Sequence, residues 1–170
     1  MGGMSLRIRP AGPPDLDLIE AIENDADRLL IERFQPDSWP PAPAGAARLA
    51  EPGFVLVAET DAGQVVGFVH VIETDGIAHL EQISVSPAHG RHGYGRVLLD
   101  AAIAHARARG CARMTLRTYA DVPWNAPFYA RAGFAEEEAM TPFHLALIET
   151  ETTLGLEKHG RRVQMGVDLR

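Results

Sequence analysis

The chain is expected to fold as a single α/β domain on a mixed central sheet. Antiparallel strands should fill its N-terminal half, and a parallel pair its middle. Three strand-like runs, at 54–59, 65–73 and 77–85, are joined by the turns Asp61-Ala62-Gly63 and Asp75-Gly76, which is the spacing of an antiparallel meander. The third run leads into a helix of about four turns and then a strand at 113–118. Strands linked through a helix must cross over and lie parallel. A length of 170 residues suits one domain with a proper core.

The remaining elements follow in order. Leu6 and Ile8, closed by Pro10, predict a first strand. Pro13-Pro14-Asp15 opens a helix, with proline in its first turn and acid at the positive end of the dipole. Leu18, Ile22, Leu29 and Leu30 supply its apolar stripe as far as Glu32. Helix cannot continue through Gln35-Pro36-Asp37-Ser38-Trp39-Pro40-Pro41-Ala42-Pro43. That stretch is either a surface connector or a substrate-side lid, and Trp39 would make it a lid by laying an exposed ring on a ligand. A short helical piece runs from Ala44 to Ala50. In the central helix, which ends at Gly110, Leu99, Ala102, Ile103 and Ala106 form the buried stripe. Asn125 or Pro127 opens a short helix that ends at Gly133, and Phe134 begins a strand. Residues 143–156 read as helix, broken at Gly155 and Gly160, and Val163, Met165, Val167 and Leu169 alternate as a last strand. Residues 1–4 read as a disordered start or an expression remnant, leaving 5–170 as the domain.

Composition narrows the function classes. A net charge of −7, from 16 basic and 23 acidic side chains, argues against a general nucleic-acid binder and mildly favours a neutral or cationic substrate. Cys111 is the only cysteine, so no intrachain disulfide forms and a reducing compartment is expected. No apolar run reaches membrane-span length and the N-terminus lacks a signal-peptide pattern, which predicts a cytoplasmic protein without membrane contact. The histidines, His89-x-x-His92 included, lack the spacing of a metal site such as H-E-x-x-H, and no metal is expected.

The chemistry-bearing stretch is the turn after the third run: Ala88-His89-Gly90-Arg91-His92-Gly93-Tyr94-Gly95. Gly93 and Gly95 remove side chains where backbone N–H groups crowd toward one ligand, and the helix start adds unpaired donors and a positive dipole end. Arg91, Arg96, His89 and His92 surround the same point in an otherwise acidic chain, so a phosphate or pyrophosphate is the natural guest. It is neither a P-loop, since no G-x-x-x-x-G-K-[ST] string occurs, nor a dinucleotide fingerprint, since Leu98 stands where the third glycine would be.

Val85-Ser86-Pro87, the turn, and Gly93-Tyr94-Gly95-Arg96-Val97-Leu98-Leu99 resemble the acyl-CoA pyrophosphate motif of GCN5-related N-acetyltransferases (GNAT), Gln/Arg-x-x-Gly-x-Gly/Ala after a strand. The sequence departs at the first position, which is Gly90, with Arg91 one residue later. Asn125-Ala126-Pro127-Phe128-Tyr129-Ala130-Arg131-Ala132-Gly133-Phe134 is similar to the family's later Asn…Tyr-x-x-x-Gly-Phe segment, with Asn125 closer to the tyrosine than is usual there. The resemblance spans about 6–169. It implies a GNAT-like fold whose parallel pair is splayed, and an acetyl-CoA-dependent N-acetyltransferase acting on a primary amine of a small molecule or peptide.

Carried over by position, the resemblance puts the N–H of Ile83 on the acetyl oxygen and pairs Val85 with the pantetheine amide. Arg91, His92, Gly93, Tyr94, Gly95 and Arg96 then wrap the pyrophosphate, and Asn125 joins the coenzyme site. Tyr129 is the candidate general acid, a phenol of reference pKa about 10 facing a thiolate leaving group, although a core aromatic beside Phe128 and Phe134 would carry the same residue. Glu81 is the preferred general base. On a regular strand Glu81 and His79 share a face with Ile83 and Val85, so His79, or a water, is the alternative. A bulge would change which side chain faces the cleft. The acceptor pocket is expected among residues 28–39, His70 and residues 143–147, and a homodimer through the final strands is a family-level expectation. Two other readings remain: an inactive acyl-CoA sensor or interaction domain of the same fold, and an unrelated nucleotide binder using the same turn. Cys111, with no histidine partner near it in sequence, reads as core filler.

Overall fold

Asp75 and Gly76 both take positive φ, 49° and 77°. This is the type I′ geometry whose twist matches a two-residue hairpin. The computed structural model describes residues 5–170, and the expectation for residues 1–4 lies outside them. Strands β2 (Gly53–Thr60), β3 (Val65–Thr74) and β4 (Ile77–Val85) form the meander, with β1 (Leu6–Pro10) antiparallel to β2 at its edge. Helix α3 (Tyr94–Ala108) then crosses over to β5 (Arg113–Tyr119), which lies parallel to β4. Strand β7 (Arg162–Asp168) pairs antiparallel with β5, and β6 (Ala135–Glu137), only three residues long, pairs with β7. The sheet order is β1-β2-β3-β4-β5-β7-β6, the mixed sheet with one parallel pair that the sequence predicts.

The two faces are covered by different helices. Leu98, Leu99, Ala102 and Ala106 of α3 pack on Leu56, Val69, Val71 and Leu80, joined by Tyr129 of the short helix α4 (Ala126–Arg131). Each leucine or valine fully buried this way contributes about 1.5–3 kcal/mol. The opposite face carries α1 (Leu16–Phe34), whose Ile19 and Ile22 meet Val55, Val57 and Phe68. Helices α2 (Gly45–Ala50) and α5 (Pro142–Leu154) reach that face through the polar contacts of Arg48 and His144. No helix among the described residues is long and apolar enough to cross a membrane.

Two expectations need correcting. In α1, Leu18 and Leu29 are exposed, and the inner face runs through Ile19, Ile22 and Glu23. The leucines set the wrong phase because that face carries an acid where an apolar residue would have marked it. Trp39 is not an open ring. It packs against Phe34 and His159, with centroids 6.2 Å and 5.9 Å away, while the Ala42 N–H donates to Asn24 Oδ1 at 2.9 Å. The proline-rich stretch is therefore pinned back onto α1.

Candidate active site

The parallel pairing of β4 with β5 is short. Ile77 to Leu80 lie opposite Arg113 to Leu116, and beyond Leu80 the register ends. From there β4 keeps only β3, and β5 only β7, so a wedge opens between them. A bulge sits where the strands part: His70 lies opposite Gln82 and Val71 opposite Leu80, which leaves Glu81 as the extra residue. The bulge overturns the regular-strand expectation. Ile83 and Val85 turn their side chains to the α3 core with Leu80, while His79 lies on the other face against Thr115. Backbone direction is equally constrained. The Ser86 N–H donates to Val66 O on β3 at 2.8 Å, so strand alternation sends the N–H groups of Ile83 and Val85 into the wedge.

Past β4, a single 3-10 turn (Pro87–His89) leads into the glycine stretch, where Arg91 and Gly93 both take left-handed backbone, φ 64° and 77°. Gly93 is the N-cap of α3, and no side chain caps that helix. The N–H groups of Tyr94, Gly95 and Arg96 therefore lack intrahelical acceptors and point out of the helix start. A Cβ at Gly93 would meet nothing within 4 Å, and one at Gly95 only Phe128 Cζ at 3.7 Å. The space above the turn is empty, a cradle that side chains would fill. Arg91, His92 and Arg96 are exposed around it, with Arg96 bonded to Asp100 at 3.0 Å and the His92 ring stacked on Tyr94. Donors, dipole and cations thus fit a diphosphate.

Helix α4 stands beside this turn, with Phe128 next to Gly95 and Arg96 Nη1 3.5 Å from Arg131 O. Asn125 Oδ1 accepts from Thr118 Oγ1 at 2.7 Å and from the Tyr119 N–H at 3.4 Å, tying the end of β5 to the start of α4. Only its side-chain amide NH2 is left to offer a ligand. Tyr129 is buried between Phe128 and Phe134, and burial pushes its phenol up, so it stays protonated.

Residues 19–134, well over half of the chain, match a sequence model described as the acetyltransferase (GNAT) family. The chain belongs to that family. As an acetyltransferase it is an acyl-transferring enzyme whose cosubstrate is acetyl-CoA. Solved structures share its fold. PaiA N-acetyltransferase from Thermoplasma acidophilum in complex with coenzyme A is 16% identical, covering 97% of this chain and 99% of that one, with a TM-score of 0.70. The ribosomal-protein-S18-alanine N-acetyltransferase from Escherichia coli is 19% identical over 97% and 94% of the two chains, with a TM-score of 0.66. Nourseothricin acetyltransferase is 23% identical over 97% and 99%, with a TM-score of 0.64.

In this acetyltransferase the bulge presents Glu81 at the mouth of the wedge. Its side chain is 34% exposed. Protein still crowds it enough to raise its pKa by desolvation; Glu51, Glu23 and Glu151 add to the rise, and Arg48 opposes it. His79 Nε2 lies 3.9 Å from Glu81 Oε2. The His79 ring is buried, its pKa lowered to about 3 by burial and by the neighbouring His144 and Arg117, so it is neutral. Burial likewise pushes up the Cys111 thiol, which sits in the core.

Two groups of residues escaped the sequence reading. Arg48 of α2 is buried, ion-paired with Glu23 and 2.8 Å from His70 Nδ1. Asp27, one turn on from Glu23, is pushed up to about 6 by burial and by Glu23, with Trp39 and Arg48 opposing. The other holds Thr115 and Thr141: Thr115 hydrogen-bonds both His79 and His144, and Thr141 hydrogen-bonds His144, which itself falls within the expected residues 143–147. The only signal in the sequence was an acid on the inner face of α1 and an arginine in an alanine-rich turn. Of the expected acceptor residues, His70, Phe143 and His144 come to the cleft region, Phe143 edge-on to His79 at 5.2 Å and His144 5.6 Å from it, while Leu145 is exposed.

Proposed function

We propose that this acetyltransferase moves an acetyl group to a primary amine of a small molecule or peptide, by direct attack within a ternary complex. One observation carries the reading. The wedge between β4 and β5 opens directly before an uncapped, glycine-lined helix start, so one extended ligand can lie along Ile83 and Val85 with its diphosphate on the turn. Bound acetyl-CoA supplies a thioester carbonyl open to attack.

The residues then divide the work. Arg91 to Arg96 hold the diphosphate through amides and exposed cations, the Val85 backbone aligns the arm, and the Asn125 side-chain amide NH2 adds a contact. The Ile83 N–H polarises the acetyl oxygen and holds the charge that develops there. Glu81 takes the proton of the incoming amine. Its raised pKa makes it a stronger base than an ordinary glutamate, and its partial exposure leaves room for the amine or a water between them. Tyr129 protonates the departing sulfur. Burial that raises the phenol raises a thiolate beside it too, which preserves the direction of proton transfer. Cys111, buried with its pKa raised, offers no thiolate for a covalent route.

Both a peptide and a small-molecule acceptor have precedent in the fold, in the ribosomal-protein-S18-alanine enzyme and nourseothricin acetyltransferase. The decisive experiment offers acetyl-CoA with a panel of amines and follows free thiol. Thiol release that depends on one class of amine identifies the acceptor. CoA binding without release across the panel refutes catalysis and leaves the sensor reading, and preference for ATP or NAD over CoA refutes the site.

A further inference from the structure

Behind Glu81 runs an unbroken line of hydrogen bonds that acetyl transfer itself does not require. His79 Nδ1 lies 2.9 Å from Thr115 Oγ1, Thr115 Oγ1 lies 2.9 Å from His144 Nε2, and His144 Nδ1 lies 2.7 Å from Thr141 Oγ1. His79, Thr115 and His144 are each at most 2% exposed, whereas Thr141, the N-cap of α5, is half-buried and reaches the surface. The line starts in the cleft, where His79 Nε2 faces Glu81 across 3.9 Å. One turn of the partly exposed glutamate or one water closes that gap.

We propose that His79, Thr115, His144 and Thr141 form a proton relay that carries to the surface the proton Glu81 takes from the amine. The inference rests on Glu81 being the base. Each member has one nitrogen or oxygen on either side, so the line has two complete hydrogen-bond patterns. In one, His79 Nδ1–H donates to Thr115, the Thr115 hydroxyl to His144 Nε2, and His144 Nδ1–H to Thr141. In the other every donor is reversed, and His79 Nε2–H faces the Glu81 carboxylate. The patterns differ by the passage of one proton. Glu81 delivers its proton to His79 Nε2; His79 Nδ1 releases one to Thr115, Thr115 one to His144 Nε2, His144 Nδ1 one to Thr141, and Thr141 one to water. No ring carries a lasting charge. That suits a pocket where His144, Arg117 and His70 face His79, with only Glu81 and Glu151 on the negative side.

A structural role explains the same hydrogen bonds, so the test must separate packing from proton flow. Turnover with the accepted amine is measured in weak buffer for Thr115→Val, Thr115→Ser, His144→Gln and Glu81→Gln, across pH and with added imidazole. Thr115→Val removes the hydroxyl between the rings. His144→Gln keeps a hydrogen-bond partner for Thr115 but has no second ring nitrogen to pass a proton on, so it tests the relay even if Thr115→Val fails to fold. Both should lower kcat about tenfold, leave KM for acetyl-CoA unchanged, and recover in imidazole, which reaches exposed Glu81 from solvent. Thr115→Ser should behave as wild type. Wild-type kcat and pH profile in Thr115→Val or His144→Gln overturns the relay, as does an equal loss in Thr115→Ser without imidazole rescue. Full activity in Glu81→Gln sinks the base assignment itself, so the two failures are distinguishable.

Discussion

Replacing Gly95 by glutamate separates fold from function at the diphosphate turn. The position lies in the first turn of α3, and an added Cβ meets only Phe128 Cζ, at an ordinary 3.7 Å. Nothing in the protein resists that Cβ, and glutamate, whose charge suits a helix start, favours helix over glycine by about 0.5–1 kcal/mol. The variant should therefore melt about 1–4 °C higher, given roughly 2–4 °C per kcal/mol for a domain of this size. Coenzyme binding should move the other way. Unlike the alanine that the motif admits here, a carboxylate reaches the uncapped amides and repels the diphosphate from them. Losing one amide bond to a charged oxygen costs about 1.5–3 kcal/mol, which is roughly ten- to a hundredfold in Kd. Scanning calorimetry and CoA titration of the same sample give both numbers. A stabilised variant that binds CoA like the wild type refutes the assignment of the turn, because the fold would be intact and the cradle demonstrably unused.

Tyr129→Phe should lower kcat about ten- to a hundredfold and leave CoA affinity unchanged; undiminished turnover excludes the phenol as the proton donor. Acid should unfold the protein early. Burial lowers the pKa of His79 to about 3 and, with Arg48 beside it, that of His70 to about 4. Both rings stay neutral while the unfolded chain protonates near pH 6.5, so stability falls as pH drops below 6.5 and levels off only under the folded values. Urea titrations at pH 7 and pH 5 should differ by about 3–4 kcal/mol from these two rings, and equal midpoints would contradict their burial as neutral groups. Arg48→Met strands the buried Glu23 carboxylate and should cost about 3–5 kcal/mol, with most of it recovered in Arg48→Met/Glu23→Leu; thermal melts of the single and double variants check both halves.

The parts of the fold legible in sequence are those set by local chemistry. Asp75-Gly76 specified its hairpin because two positive φ values suit those residues, and Gly155, the left-handed C-cap at φ 70°, ended α5 where the pattern breaks. The diphosphate turn was legible for the same reason, since glycine spacing and a helix start lie within a few residues. What stayed hidden depends on partners far along the chain. The relay joins residues 36 and 29 positions apart, and neither threonine nor histidine advertises such a partner. The phase of α1 was obscured by Glu23, an inward acid whose reason is Arg48, 25 residues on. Trp39 looked available for a ligand because nothing nearby in sequence foretold His159 beneath it.

The bulge at Glu81 was the costliest omission, because a glutamate two residues from His79 and from Ile83 fits a regular strand equally well. Its consequences follow from period-two geometry. Were Glu81 kept as a regular ladder residue instead of bulged out, Ile83 and Val85 would fall on the face of His79, and the α3 core would lose both side chains. With it, they stay on the core face, their N–H groups point into the wedge, and β4 bends away where pairing with β5 ends. The residue that breaks the register is thereby freed from the ladder. A side chain there is held by the strand on both sides yet is not packed by it, which is what a base needs to be positioned and wet at once. The position of Glu81 and the opening of the coenzyme site are then one structural event, and deleting the bulge should close the wedge as well as remove the carboxylate.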